Sequence, residues 1–146
     1  QKIREGLKNI YNPGRFQWLS KNILVDTANN EENIRLLSRM IQKLWNKDII
    51  SLFGTTQVDK KYARILADFI PAEHRYVVDN FCDRSLPSDQ YGKNNKNETV
   101  IHFSDINEKW LKNAQKEENS LLLVYGSFYL VGEIMRLSRY KPFATA

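Results

Sequence analysis

The stretch that indicates the fold is LLLVYGSFYLVGE, residues 121–133. It begins with an apolar run over 121–125, which has the length and composition of a strand buried on both faces. Gly126 and Ser127 then break the run, and a helix is predicted from there to about Arg139. A buried strand that leads directly into a helix predicts a parallel sheet covered by helices.

The same alternation of apolar runs and helical patterns extends back through the chain. Strands are predicted at 23–26, 49–54, 76–79 and 99–103. Helices are predicted over 34–45 with Asn29 or Asn30 as cap, from Tyr62 to a stop at Pro71, over the short segment 85–91, and through 107–116 with Ser104 or Asp105 as cap. Trp18, Trp45 and Trp110 are expected in the core or partly buried, His102 as a structural or surface residue, and His74 in an exposed loop.

These elements predict one domain over residues 1–146. We find no linker or internal repeat, and the length suits a single core. The expected fold class is α/β, a single Rossmann-like domain with a mainly parallel sheet and helices on both faces. Because the chain begins at Gln1 rather than Met, we expect it to be cut from a larger protein.

Ligands of such sheets bind at the carboxyl ends of the strands, where two segments carry suitable chemistry. Arg15 offers a planar fork for a phosphate or carboxylate, and Asp26 could accept hydrogen bonds from a ribose or an ammonium group. Gly126 would let a ligand approach the backbone, and Ser127 opens a helix whose amino end favours anions. In the simpler alternative, Asp26 and Asn30 are only capping residues and 126–127 is only a tight turn.

Charge and cysteine content limit the partners and the compartment. The net charge is +5, but basic residues are interleaved with acidic ones, so we expect no nucleic-acid partner. The single Cys82 excludes an internal disulfide and suits a reducing cytoplasm, where we expect the protein to act. The most apolar stretch is too short for a membrane span, and no metal-binding pattern occurs.

Several motifs, in order, resemble the C-terminal domain of the folylpolyglutamate synthase and dihydrofolate synthase family, relatives of the Mur ligases. GRFQ at 14–17 resembles the family's Gly-Arg-(Phe/Leu)-(Gln/Glu), and DTANNE at 26–31 resembles its Asp-Gly-Ala-His-Asn-Pro. Gly54 through Asp59 and Lys60 resembles a later Gly-x-x-x-Asp-Lys segment, and Arg84 falls where the family often has an arginine. GSFYLVGE at 126–133 resembles the family's closing motif.

The resemblance implies an ATP- and Mg²⁺-dependent ligase that joins L-glutamate to a folate or pteroate carboxylate through an acyl phosphate. It implies that Arg15 contacts ATP phosphates and Asp26 the ribose. Asn29 would lie near the reacting groups, and Asn29, Asn30 and Ser127 would bind glutamate. The expected partner is an N-terminal ATPase domain of the same polypeptide, which would hold most of the ATP and Mg²⁺, and the protein is expected to be a monomer.

Three departures keep alternatives open. Thr27, Asn29 and Glu31 stand where the family has Gly, His and Pro, and asparagine cannot carry a proton or charge. A degenerate relative that binds without catalysis is therefore one alternative, and another Mur-type amide ligase is a second. The chain has no Gly-x-x-x-x-Gly-Lys-(Ser/Thr) phosphate loop, so we expect the isolated domain to be inactive.

Overall fold

The computed structural model describes residues 13–45, 48–56, 58, 60–92, 97–115 and 119–138. Within these residues, six strands form one sheet: β1 Gln17–Ser20, β2 Ile23–Val25, β3 Asp48–Phe53, β4 His74–Asp79, β5 Glu98–His102 and β6 Ser120–Tyr125. The described part of the chain also contains four α-helices: α1 Glu31–Leu44, α2 Lys60–Asp68, α3 Glu108–Gln115 and α4 Phe128–Leu137. Two 3₁₀ turns in the same ranges cover Ser88–Gln90 and Phe103–Asp105.

The sheet has the strand order β1-β2-β6-β3-β4-β5. All neighbouring pairs are parallel except β1 and β2, which are antiparallel. The last strand, β6, lies between β2 and β3, so the chain returns across the sheet after β5. The expected single α/β domain with a mainly parallel sheet is confirmed.

The core has two halves, one on each face of the sheet. Alternate residues of β6 separate between them: Leu121, Leu123 and Tyr125 join one cluster, and Leu122 and Val124 the other. The first cluster includes the buried faces of α1 and α2, and the second those of α3 and α4. Helices on both faces explain why β2 and residues 121–125 of β6 form buried apolar runs.

An ion network centred on the buried Glu98 carboxylate joins α2 to the far edge of the sheet. Both nitrogens at the end of Arg64 reach the Glu98 carboxylate, at 2.8 and 2.7 Å, and the Glu98 side chain is only 1% exposed. Asp68 pairs with Arg64 at 2.8 Å and with Arg75 at 3.2 Å. The network therefore links α2, β4 and β5 through paired charges.

Several local expectations are corrected by the structure. α3 is capped by the Asn107 side chain, which accepts from the Trp110 N–H at 2.9 Å, because Ser104 and Asp105 lie in the preceding 3₁₀ turn. His74 begins β4 rather than lying in a loop. Trp18 is 40% exposed because it lies on the edge strand β1, where it contacts Trp45.

Other predicted boundaries hold with small shifts or fall outside the described residues. Asn30 is the cap of α1, accepting from the Asn33 N–H. The helix predicted over 85–91 is only the 3₁₀ turn Ser88–Gln90. Asp59, Lys116 and Arg139 lie outside the described residues, so the expectations placed on them have no counterpart here. None of the described helices has the length and hydrophobicity needed to cross a membrane.

Candidate functional site

Three strand ends meet at the carboxyl edge of the sheet. Val25 of β2 pairs with Val124 of β6, and Phe53 of β3 pairs with Tyr125 of β6. The residues that follow these strands are therefore neighbours. β2 and β3 lead to α1 and α2 on one face, whereas β6 leads to α4 on the other. The crevice where helices leave in opposite directions is where ligands of α/β sheets bind.

Gly126 allows the loops after β3 and β6 to approach each other closely in this crevice. Its φ is +108°, and a Cβ atom there would lie 2.5 Å from the carbonyl oxygen of Gly54. Its N–H donates to the Ala28 carbonyl at 2.9 Å, and the Gly54 N–H donates to the Tyr125 carbonyl at 3.3 Å. Only glycine permits this backbone geometry, so the loops after β2, β3 and β6 are held against one another.

A tight turn before β1 completes the site. The Gly14 N–H donates to the Gln17 side-chain oxygen at 2.7 Å, and the Gly14 carbonyl accepts from the Thr27 N–H at 2.8 Å. Gly14 and Phe16 both have positive φ, +79° and +45°. A left-handed phenylalanine is uncommon and requires support from its surroundings. The Phe16 N–H receives that support from the Asp26 carboxylate, at 3.0 Å.

The Asp26 carboxyl joins the turn to the end of β2. One oxygen accepts from Phe16 and the other from the Ala28 N–H at 2.7 Å. Burial raises the pKa of Asp26 above its usual value, although these two hydrogen bonds and the charge of Arg15 act to lower it. Asp26 thus stabilises the loops on either side of the site but caps no helix, whereas Asn30 does cap α1, as the simpler alternative expects. A ligand would use the remaining lone pairs of this carboxylate.

The predicted site residues all lie on these contacting loops. Arg15 is exposed in the turn between Gly14 and Phe16, and Asn29 and Asn30 are exposed at the start of α1. Ser127 is buried, and its hydroxyl accepts from the Tyr129 N–H at 3.1 Å as the cap of α4. The structure thus brings the four loops together, and the ligand roles of the five residues stay predictions.

Thr27 fits its position because of Gly14. Its backbone is not left-handed, and its methyl carbon lies 2.8 Å from where a Cβ atom on Gly14 would be. The side chain therefore fills space that glycine at position 14 leaves. Its buried hydroxyl oxygen has no hydrogen-bond partner within the described part of the chain.

Glu31 does not leave an uncompensated negative charge beside the loops. Its carboxylate pairs with Arg35 one turn along α1, at 2.8 Å. Its backbone N–H donates to the Tyr62 hydroxyl at 3.3 Å. The ion pair directs the acid along the helix and gives it a cation, which reduces its repulsion of any anion bound at the loops.

The β4 and β5 ends form a separate part of the edge. Asp79 and His102 are register partners, and the half-exposed imidazole contacts the buried carboxylate through Nδ1. The β5 end lies four strands from β2, or about 19 Å at normal strand spacing. Arg84 is exposed in the loop after β4. The structure does not bring His102 to the crevice around Gly126.

Two supporting residues were missed by sequence reasoning. Tyr62 contacts the start of α1, and the Tyr91 hydroxyl accepts from the Thr55 N–H at 3.1 Å after β3. Burial raises the pKa of Tyr91, which stays a neutral phenol here. Both tyrosines are remote in sequence from the loops they support, so no local pattern could have revealed them. Among the described residues, no group of three or more His, Cys, Asp or Glu side chains could hold a metal ion.

Comparison with known proteins gives a fold but no sequence family. No family model matches the chain, and no curated protein matches it. Solved structures of folylpolyglutamate synthases do match. The enzyme from Thermotoga maritima is 26% identical, with a TM-score of 0.69 over 94% of this chain. The enzyme from Mycobacterium tuberculosis, solved with ADP and AMPPCP, is 14% identical, with a TM-score of 0.70 over 96% of this chain.

A third match is the bifunctional folylpolyglutamate synthase/dihydrofolate synthase with Mn, AMPPNP and L-glutamate bound, which is 22% identical with a TM-score of 0.71 over 92% of this chain. This chain covers only 33 to 35% of the length of these three proteins. The resemblance to this family that the motifs indicate is therefore confirmed at the level of fold, for about one third of such an enzyme.

Proposed function

We propose that this chain is the carboxyl-terminal domain of an ATP-dependent amide ligase. The proposal starts from its fold, which is that of about one third of a folylpolyglutamate synthase. The full enzyme joins L-glutamate to a folate or pteroate carboxylate. The observation that carries this proposal is the convergence of Arg15, Asp26, Asn29 and Ser127 on loops that contact one another at one crevice. Their motifs are far apart in sequence, and their meeting at a single ligand-binding edge favours a common task.

The proposed chemistry has two steps. The γ-phosphoryl group of ATP passes to an oxygen of the acceptor carboxylate, and ADP leaves. The glutamate nitrogen then attacks the acyl carbon, the bond from carbon to the phosphate oxygen breaks, and the nitrogen loses a proton to solvent. Acyl phosphates hydrolyse readily, so a domain that closes over the reacting groups and excludes water protects the intermediate.

Each residue has a role suited to its placement. The exposed guanidinium of Arg15 is free to reach a phosphate, where it would offset charge during transfer. Asp26 would accept from the ribose, and Asn29, Asn30 and Ser127 would bind glutamate. Asn29 positions its partners by hydrogen bonding and takes no proton. Mg²⁺ would screen the phosphates and would be held mainly outside this chain.

The catalytic partner is an N-terminal ATPase domain in the same polypeptide. The sequence has no phosphate loop of its own, and the chain has the length of about one third of the ligases it resembles. The isolated domain is therefore inactive in this proposal, and activity requires both domains.

A degenerate relative that binds glutamate or a partner without catalysis is the second candidate. The observation in its favour is Asn29, which is exposed at the position where the family has histidine. The pairing of Glu31 with Arg35 weighs against it, because the acid at position 31 then opposes a bound phosphate less strongly. The two candidates differ in turnover and are separated by one assay.

The assay follows ADP release by the full-length polypeptide with ATP, Mg²⁺ and L-glutamate, offering dihydropteroate, tetrahydrofolate or a peptidoglycan precursor. Turnover on a pterin acceptor is expected. Arg15→Ala should lower kcat/KM about a hundredfold or more, because it removes a cation from the transferring phosphate. Arg136→Ala is the matched control, since Arg136 is also exposed but pairs with Glu133 on α4.

The outcome also decides between the candidates. Turnover on the peptidoglycan precursor alone would establish another Mur-type ligase. An absence of turnover on every acceptor, reversed by Asn29→His, would mean that the motif has lost its catalytic group. Equal loss in Arg15→Ala and Arg136→Ala would contradict the role given to Arg15.

A further inference from the structure

We propose that the hollow between α1 and the end of α2 binds a small multivalent anion, either a polycarboxylate or a polyphosphate. The hollow has a volume of about 270 Å³ and is lined by Arg35, Ser38, Arg39 and Phe69. It lies on the flank of the domain. Arg39 follows Asn30 by nine residues, about 13 Å along the helix, so this site is separate from the crevice around Gly126.

One cation of the hollow is held in place. The guanidinium of Arg35 lies over the Phe69 ring, 4.5 Å from its centroid. It also pairs with Glu31 at 2.8 Å. Two contacts fix its orientation before any ligand arrives, so less side-chain entropy is lost when an anion binds.

A second cation, Arg39, is available for a ligand. Arg39 is exposed and has no acidic partner within the described residues. The nearby acid Asp68 is paired with Arg64 and Arg75. Glu32 lies seven residues before Arg39, about 10 Å along the helix axis, which is beyond direct pairing.

The row of basic residues on α1 extends beyond the hollow, which favours a ligand with several negative charges. Arg35, Arg39 and Lys43 follow one another at four-residue steps, about 6 Å apart along one face of the helix. The acids of α1 are confined to its first turn, at Glu31 and Glu32. A single carboxylate would engage one cation, whereas a chain of carboxylates or phosphates would engage two or three.

The hollow also offers neutral contacts. The Ser38 hydroxyl is largely buried and accepts a hydrogen bond from the Gln42 side chain at 3.4 Å, which leaves its own proton to donate. Phe69 offers apolar surface to the carbon chain of a polycarboxylate. A polyphosphate has no such chain, so Phe69 distinguishes the two kinds of ligand.

The test is titration calorimetry of the 146-residue chain at low salt, with tripolyphosphate and with triglutamate as separate probes. Saturable binding of at least one probe is expected. Arg39→Gln should weaken it about tenfold, because a charge-assisted hydrogen bond is lost, and Arg39→Lys should retain part of the affinity. Phe69→Leu should weaken triglutamate more than tripolyphosphate, because both lose the ring that orients Arg35 but only triglutamate also loses apolar contact.

Arg136→Gln removes the same charge from α4, away from the hollow, and should leave both affinities unchanged. Failure of both probes to saturate would overturn the proposal. Equal weakening by Arg39→Gln and Arg136→Gln would overturn it too, since that pattern indicates attraction to the net charge. The measurement involves no catalysis, so its failure is distinguishable from failure of the proposed ligase function.

Discussion

Gly126 is the residue whose backbone conformation holds the loops of the candidate site together. We expect Gly126→Ala to lower the free energy of unfolding by about 3 kcal/mol or more, because the φ of +108° disfavours alanine and the new Cβ would meet the Gly54 carbonyl at 2.5 Å. Gly132→Ala is the control within the next helix, where a Cβ meets nothing within 4 Å. It should stabilise by about 0.5–1 kcal/mol. Urea denaturation measures both, and similar values for the two variants would contradict the close approach.

The raised pKa of Asp26 predicts a pH dependence of stability. Its usual value is 3.8, and a higher value in the folded state means that folding favours the protonated form. The contribution of Asp26 to stability therefore falls as pH rises from about 3.8 through the folded-state pKa. Asp26→Asn removes this titration and weakens one hydrogen bond. It should lower the free energy of unfolding by about 1–3 kcal/mol.

The measurement is urea denaturation of both proteins from pH 4 to pH 7. The stability advantage of the wild-type protein over Asp26→Asn should narrow as pH rises. An advantage that widens with pH would mean that the two N–H donors outweigh burial and lower the pKa of the carboxyl.

At this scale the sequence reveals residue types more readily than their contacts. Asp26, Asn29 and Ser127 could be singled out because they follow apolar strands, and Arg15 because of its guanidinium group and the GRFQ motif at 14–17. The left-handed backbone of Phe16 and the bond from Gly14 to the Gln17 side chain could not. The Phe16 conformation is supported by the Asp26 carboxylate, ten residues away, and local propensity carries no information about that contact. The Gly14 bond is local, but it forms only in the turn that the positive φ values of Gly14 and Phe16 create.

Among the elements, α3 is the helix whose start the sequence misplaces most clearly. Three polar residues precede it, and Asn107 supplies the cap. We expect Asn107→Ala to lower the free energy of unfolding by about 1 kcal/mol and Ser104→Ala by less than about 0.5 kcal/mol. Of these two side chains, Asn107 is the one that accepts a hydrogen bond from a helix N–H. Chemical denaturation of the two variants tests this, and the reverse order would place the helix start two or three residues earlier.

Element prediction succeeded where the burial pattern was strong. The five predicted strands and the longer helices follow uninterrupted apolar runs or helical spacing. β1 was missed because it has four residues with mixed burial and lies at the sheet edge, where polar side chains are tolerated. The start of α3 was misplaced because Ser104, Asp105 and Asn107 are all good caps, and sequence alone does not choose among them.

At the scale of the whole molecule, the network around Glu98 connects α2 to the edge opposite β1. We expect Glu98→Gln to cost about 3–5 kcal/mol, because it leaves the largely buried guanidinium groups of Arg64 and Arg75 without their buried acid. Glu133→Gln is the matched control for an exposed pair and should cost less than about 1 kcal/mol. Thermal and urea unfolding measure both, and equal small losses would show that the network adds little.

Strand order is the part of the architecture that sequence reasoning could not supply. Alternating strands and helices predicted a parallel sheet covered on both faces, and the structure confirms that arrangement. They did not indicate that β6 inserts between β2 and β3, because pairing between strands about 100 residues apart is a long-range choice of packing. That insertion is what brings Gly126 and Ser127 beside Asp26 and Gly54, and so assembles the candidate site.

The measurement that tests the central claim most directly is identification of the product. The full-length polypeptide would be incubated with ATP, Mg²⁺, isotopically labelled L-glutamate and a tetrahydrofolate or dihydropteroate acceptor, and the products analysed by mass spectrometry. We predict a labelled glutamate joined to the acceptor through an amide, formed with ADP and phosphate in equal amounts. An acceptor recovered without label, whether or not ADP is released, would contradict the assignment of this domain to a glutamate ligase.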